Sequence, residues 1–387
     1  MKQLMLPSHK QRGAVSLFII VFTALLVTVV TVSFIRIMVS DQQQATTSDL
    51  SQSAYDSAQA GTEDAKRALL FYQSECATGD ANRCSNAAAH IQSPDCNASL
   101  ADVITYTPGQ EVLVKQTAGD TALQQAYTCV TISLKTDDYV GSLNQDASKM
   151  IPLVGDGTFD SVKVDWFSAS DLKAGTTTVD VPKFSDGTPL INQASWAAVA
   201  TPNRPPVMRT QLIQFGDSGF SLSDFDGAGN GGGKSNMNTL FLYPSDVVST
   251  IKSFAANTRK AATSPVSSTC SPSLASGGYA CSATITLPTP INGGNRVAYL
   301  NLASLYRKTD YKVTLLNGAT PVQFNGVQPE IDATGRANDL FRRVKNRVEV
   351  LDGVYPLSEV DVTGSFCKAF LITDNVNDYS ADSSCKP

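Results

Sequence analysis

The stretch Ala228-Gly-Asn-Gly-Gly-Gly-Lys-Ser235 carries the glycines, lysine and hydroxyl of a phosphate-cradling loop, with alanine in place of the first glycine. Such a loop needs a strand before it and a helix after it, so that N–H groups at the helix N-terminus face the phosphates. The next residues, Asn236-Met-Asn-Thr-Leu-Phe-Leu-Tyr-Pro244, read as a strand, so the segment is read as a flexible glycine loop. The overlapping Gly227-x-Gly229-x-x-Gly232 fails for the same reason. Asp217, Asp224, Asp226 and Asn230 offer carboxylate and amide oxygens of the kind Ca²⁺ takes. Their spacing is not that of an EF-hand and no bidentate glutamate closes the loop. A solvated turn is the first reading, and a weak calcium site the second.

Gly216-Asp-Ser218-Gly219 has the shape of a serine-protease nucleophile loop, but a triad also needs a histidine oriented by a buried aspartate. The chain has two histidines, His9 and His90. His90 stands in Ala-Ala-Ala-His90, within a polar, cysteine-rich stretch. No catalytic set is complete, so the chain is read as non-enzymatic, with no cofactor and no resident metal expected. Arg336, Arg342, Arg343, Lys345 and Arg347 form a local basic cluster that could contact phosphates. Aromatic interleaving is limited to Phe341, and Asp332, Asp339 and Glu349 balance the charge. A solvated strand face is therefore expected, and nucleic acid is not an expected partner.

The chain has 387 residues, a net charge of −5 and 17% charged residues, below the usual quarter for a soluble protein. Its eight cysteines are Cys76, Cys84, Cys96, Cys129, Cys270, Cys281, Cys367 and Cys385. No Cys-x-x-Cys pair occurs, which argues against a structural zinc and for disulfides in an exported domain. Proximity alone suggests that Cys76 and Cys84 close one loop and Cys96 and Cys129 another.

These residues must be positioned by a chain that begins with an apolar run. Residues 14–35, AVSLFIIVFTALLVTVVTVSFI, contain no charge and slightly exceed the roughly 20 residues that cross a bilayer as a helix. Valine and threonine would favour a strand in water, but in lipid the backbone must satisfy itself within the segment, which demands a helix. Lys2, Lys10 and Arg12 precede the run, while Asp41 and Asp49 follow Arg36, which predicts a cytoplasmic N-terminus and an outer head. The run is too long for the apolar region of a cleaved secretory signal. Beyond Ser40, Leu50, Ala54, Ala58, Ala65, Leu69 and Tyr72 recur at helical spacing with only Gly61 as a breaker. A continuous helix over 15–72 is expected, about 87 Å long.

Residues 73–100 read as a capped loop or short helix. Strands are expected at 110–116, 126–135, 161–168, 210–215, 239–243, 280–287, 296–302, 310–316 and 341–351. Asp156-Gly157, Asp186-Gly187, Asn317-Gly318 and Asn325-Gly326 supply turn signals between them, and Thr201–Pro206 a proline-rich connection. The fold class is α+β: a long N-terminal helix carrying a large antiparallel β-rich head. The expected division is 1–13 leader, 14–39 transmembrane helix, 40–72 amphipathic continuation, 73–150 cysteine-bearing first part of the head, and 151–387 β-rich second part.

A short basic leader ending in Gly13, an uninterrupted apolar helix that turns amphipathic, and a disulfide-bearing β head together resemble the type IV pilin superfamily. RGAVSLFIIVFTALL is similar in particular to the start of minor pilins of the PilX type, and the K-type minor pseudopilin of type II secretion is a further likeness. The likeness covers residues 1–72 and is weak over the head. It implies that a prepilin peptidase cuts between Gly13 and Ala14 on the cytoplasmic side, that Ala14 is methylated, and that the helix is first a membrane anchor and then the packed core of a filament. Major pilins carry a glutamate at the fifth mature position and begin with phenylalanine; here these are Phe18 and Ala14. Some minor pilins lack that glutamate and stand at or near the filament tip. Cys367 and Cys385 resemble the disulfide that bounds the C-terminal loop of many pilins. The expected function is a structural minor pilin-like subunit, with membrane, other pilin subunits and prepilin peptidase as partners. The alternative is an unprocessed single-pass surface adhesin that binds a glycan or protein through head loops such as 220–234.

Overall fold

The computed structural model describes residues 13–105, 107–114, 124–183, 193–196, 201–216, 237–247, 251–253, 265–274, 278–292 and 296–349. Helix α1 (Gly13–Ala77) runs unbroken for 65 residues, roughly 98 Å, and reaches five residues beyond the expected end at Tyr72. It stops where Gly79 takes a left-handed φ of 77° and where Cys76 is tied to Cys84. Asp80 then caps α2 (Ala81–Ile91), its carboxylate accepting from the Asn82 and Arg83 N–H groups. Arg83 reaches back to Glu75, its Nη2 donating to Oε1 at 2.7 Å, so the two helices are joined by charge and by disulfide. A one-turn helix, α3 (Gln193–Trp196), lies far along the chain.

The strands are β1 (Val112–Leu113), β2 (Ala126–Thr136), β3 (Tyr139–Leu143), β4 (Ser148–Pro152), β5 (Phe159–Ser168), β6 (Val207–Gly216), β7 (Met237–Ser245), β8 (Ile251–Ser253), β9 (Val266–Cys270), β10 (Tyr279–Ile291), β11 (Arg296–Leu305), β12 (Thr309–Asn317), β13 (Thr320–Val322), β14 (Phe324–Ala337) and β15 (Leu340–Arg347). A four-stranded antiparallel sheet in the order β1-β2-β14-β15 packs on the second half of α1. Ala58, Ala65, Ala68 and Leu69 of the helix meet Tyr127, Val130, Ile132, Ile331 and Ala333 of the sheet in one buried cluster. The helix stripe is made of small residues, so the helix axis lies close to the sheet. Alternation along β2 and β14 sends apolar side chains to the helix and polar ones to the other face.

Between β2 and β14 the chain leaves this sheet and builds a second one. Its eleven strands run β13-β12-β5-β10-β9-β7-β6-β11-β4, with β3 added to β12 and β8 to β10. One core takes Val162, Val164, Trp166, Ala283, Ile285, Val313 and Leu315 from one end of that order and Met208, Leu212, Leu240, Leu242, Leu300 and Leu302 from the other. The sheet is thus folded over into two leaves, as a β-sandwich. A head divided near residue 150 does not match this arrangement: that point falls inside β4, and the helix-bound sheet is assembled from both sides of the sandwich in sequence.

Two strand expectations and one turn expectation need correction. Within the described part of the segment at 110–116, which ends at Val114, the strand is β1, paired with Ala126 and Tyr127. The last strand begins at Leu340 and ends at Arg347. Asn325-Gly326 is not a turn between strands: it lies inside β14, the longest strand, in a register shift between Asn325 and Glu330. That irregularity is what admits Pro329 to a central strand, since the proline has no N–H to give the ladder. Its carbonyl still accepts the Val348 N–H at 3.0 Å.

Candidate membrane and assembly interface

Among the described residues, nothing in the head covers the first half of α1. Every large apolar side chain from Leu17 to Val39 is exposed, Phe18 at 71%. This helix is long and apolar enough to cross a membrane. The polar residues in the run are satisfied within it: the Thr23 hydroxyl donates to Ile19 O at 2.9 Å, Thr28 to Leu25 O at 2.8 Å, Thr31 to Val27 O at 2.8 Å and Ser33 to Val29 O at 2.8 Å. A hydroxyl bonded to its own backbone adds no unmet donor to a hydrocarbon environment. Phe18 stacks with Phe22 at 6.3 Å between ring centroids, one turn apart on the exposed helix surface. Gly13 and Ala14 lie in the first turn of the helix.

Burial starts near Leu50 and becomes complete at Ala54, Ser57, Ala58, Ala65, Ala68 and Leu69. The two halves of one rigid rod therefore face different surroundings. Polar pins fix the buried half. The Tyr127 hydroxyl donates to Asp64 Oδ2 at 2.8 Å, and Arg342 Nε donates to Ser51 Oγ at 2.7 Å. Burial, together with acceptance by Asp64, pushes the Tyr127 phenol far above its ordinary range, so it stays a donor.

The basic cluster is split by the pleat of the sheet. Arg342 turns to the helix side, while Arg336, Arg343, Lys345 and Arg347 lie on the outer face among carboxylates. Arg343 Nε donates to Asp332 at 2.6 Å, Lys345 to Glu330 at 2.7 Å, Arg347 to the Asp138 carboxylate at 2.5 Å and Arg336 Nε to Glu111 at 2.9 Å. The face is solvated and paired as expected, though with partners beyond the expected ones. Glu349 binds the Tyr139 hydroxyl and Lys149 instead, which ties the end of the small sheet to the sandwich. Beside this face a groove of about 430 Å³ runs between 92–94 and the β2 edge, lined by Gln92, Pro94, Ile132, Leu134, Lys135 and Glu330.

His90 does have a carboxylate partner: its Nδ1 lies 2.9 Å from both Asp102 oxygens, on an exposed surface with no serine in the pair. Disulfides join Cys76 to Cys84, Cys96 to Cys129 and Cys270 to Cys281. The glycine loop 228–235, the calcium candidates Asp217, Asp224, Asp226 and Asn230, Ser218, and the pair Cys367 and Cys385 lie outside the described residues. Among the described residues no three histidine, cysteine, aspartate or glutamate side chains converge as a metal site would require.

Some positioning residues carried no sequence signal. Asn97 sits at a left-handed φ of 65°; its N–H donates to Val130 O and its amide oxygen accepts from Val130 N–H, so it pairs with the open edge of β2 as a strand would. Gln328 makes the same two-sided contact with Val140. Neither residue type marks a strand pairing in a sequence. No family model matches the chain, no curated protein matches it, and no solved structure matches its fold.

Proposed function

We propose that this chain is a structural, non-enzymatic minor pilin-like subunit of a type IV pilus-like filament. A prepilin peptidase cuts between Gly13 and Ala14. The apolar half of α1 then holds the subunit in the membrane, with its N-terminus cytoplasmic and its head outside, until the same surface packs against the helices of other pilin subunits. The observation that carries this reading is the division of one unbroken 65-residue helix into a bare apolar half and a half sunk in a sheet. A simple tether needs a membrane span but has no use for a rod that continues into the head. A filament subunit needs both, because the rod must hold the head at a fixed distance and angle from the packed core.

The aromatic pair Phe18–Phe22 fits a subunit that joins by apolar contact rather than by a buried carboxylate. Intact mass spectrometry of the protein recovered from cells tests the proposal. A methylated Ala14 as first residue is the expected result, with Gly13→Val blocking it. A start at Met1 overturns the reading in favour of an unprocessed anchored surface protein that binds its ligand through head loops.

A further inference from the structure

The two leaves of the sandwich are continuous through one strand. In the order β13-β12-β5-β10-β9-β7-β6-β11-β4, β9 is the link between β10 and β7. It is fastened to β7 over four residue pairs, from Leu242 opposite Val266 to Ser245 opposite Thr269. Two buried hydroxyls strengthen that side: Ser268 Oγ donates to Tyr243 O at 2.9 Å and Ser245 Oγ to Ser268 O at 3.1 Å. Toward β10 the described ladder pairs are Cys281 opposite Cys270 and Ser282 opposite Thr269, with the Ser271 N–H donating to Ala280 O at 2.9 Å beside them. From Thr284 onward β8 takes over that edge of β10, and β9 diverges. Of the two residue pairs that join the leaves by ladder, one is therefore the cystine itself.

We propose that the Cys270–Cys281 disulfide is a redox-operated clasp on this seam: closed, it holds the leaves as one body, and reduced, it lets them part along β9 and β10 while the helix-bound sheet stays folded. Two sulfurs that are almost fully buried, with Cys281 at 1% and Cys270 at 6% exposure, lie behind that seam, so a reductant reaches them when the seam opens. Reduction breaks the S–S bond with two electrons and two protons from a dithiol such as dithiothreitol, which closes to its own cyclic disulfide and leaves two thiols in the core. Apart from apolar contact, ties across the leaves that remain after reduction include Thr269 opposite Ser282 and Ser271 N–H to Ala280 O at 2.9 Å on the seam itself, with Trp166 Nε1 to Pro206 O at 3.2 Å, Gln214 Nε2 to Thr289 O at 2.6 Å and Lys173 N–H to Asn203 Oδ1 at 2.8 Å elsewhere. The other two described disulfides lie at α1–α2 and at β2, away from the sandwich.

Hydrogen exchange of the full chain, compared with a Cys270→Ala/Cys281→Ala variant, tests the clasp. Exchange at 266–270 and 279–283 is expected to rise about tenfold or more, with 126–136 and 324–337 unchanged within about twofold. Unchanged exchange at the seam, or an equal rise in both regions, overturns the proposal. Should the variant fail to fold, the wild-type chain is treated with stepwise dithiothreitol, and thiol alkylation is mapped beside exchange. Alkylation of Cys270 and Cys281 that coincides with seam exchange, with 324–337 still protected, supports the clasp; alkylation only after global exchange overturns it.

Discussion

Gly335 of β14 lies so close to Ala58 of α1 that a β-carbon on the glycine would sit 2.2 Å from the Ala58 amide nitrogen, and 2.1 Å from the carbonyl oxygen of Ala54. Both obstacles are backbone, so no side-chain rotation makes room. The glycine sets the distance between rod and head, and with it the orientation at which the head is carried.

Gly335→Ala is therefore expected to destabilise the helix–sheet contact by about 3 kcal/mol or more, the upper range for overpacking against rigid groups. Gly61→Ala, on the helix, should do less, because its new β-carbon would meet the Val130 Cγ2 and Tyr127 ring, which are side-chain atoms with some freedom. Thermal unfolding followed by circular dichroism ranks the two. Equal losses would mean that the helix shifts as a body.

Gln328 is the second joint. Its side-chain amide donates to Val140 O at 2.8 Å and accepts from Val140 N–H at 3.0 Å, linking β14 to the first strand of the sandwich. Gln328 is 4% exposed, and Gln328→Ala leaves the half-buried N–H and C=O of Val140 without this partner. Each orphan costs about 1–3 kcal/mol. A single cooperative urea transition is expected to separate into two, with the sandwich and the helix-bound sheet melting apart. A shift of one unsplit transition would show that the remaining contacts, among them Lys135 with Asp156 at 2.8 Å and Arg347 with Asp138, suffice to couple them.

How much of this could be read in the sequence differs from element to element. The helix was legible because an uncharged run and a stripe of alanines obey one period over five dozen residues. Thr128–Leu134 was legible because its alternation is clean, and the alternation over 344–350 marks a strand that ends at Arg347. β14 was hidden by Asn325-Gly326, Pro329 and Gly335, each a breaker locally and each explained only by a distant partner: a register shift against β2, the Val348 N–H, and the α1 backbone. The nesting of the sandwich between β2 and β14 leaves no local trace, since strand pairing over nearly two hundred residues depends on which edges find one another. The helix interface was legible as an apolar surface; the internal bonding of Thr23, Thr28, Thr31 and Ser33 follows from helical geometry once the helix is granted.

Asp332 gives the outer face a pH dependence of definite sign. Hydrogen bonding from Arg343, helped by the charges of Arg343 and Lys345 and opposed by partial burial, holds its carboxyl below the usual carboxylate range. A carboxyl whose folded pKa is lowered contributes stability above its unfolded value, and that contribution is lost as pH falls through the folded pKa. Asp332→Asn should lower the urea midpoint at pH 7 by the equivalent of at most about 1 kcal/mol, because Arg343 is largely exposed. The gap from wild type should close as the solution is acidified below pH of about 4. Asp171, raised chiefly by burial, works in the opposite sense: its contribution is present in acid and fades as pH rises through its folded pKa. The wild-type minus Asp332→Asn difference isolates the one term from the other, and a gap that persists at low pH would show that the asparagine perturbs packing.

The exposed half of α1 predicts a contrast between two neighbouring positions. Leu26 points a bare apolar side chain outward at 54% exposure, and arginine there would place a cation near the middle of the run. On insertion scales a central arginine costs about 2.5–3.5 kcal/mol. Leu26→Arg should therefore shift much of the protein from the alkali-resistant membrane pellet to the soluble fraction. Thr28 is two residues further on, and its hydroxyl is already bonded to Leu25 O at 2.8 Å. Thr28→Val removes donor and bond together and leaves no orphan, so pellet fractionation should match wild type or exceed it slightly. If Leu26→Arg stays in the pellet, the run is held by something other than a hydrocarbon environment, and partition into filaments sheared from cells becomes the measurement that decides what covers it.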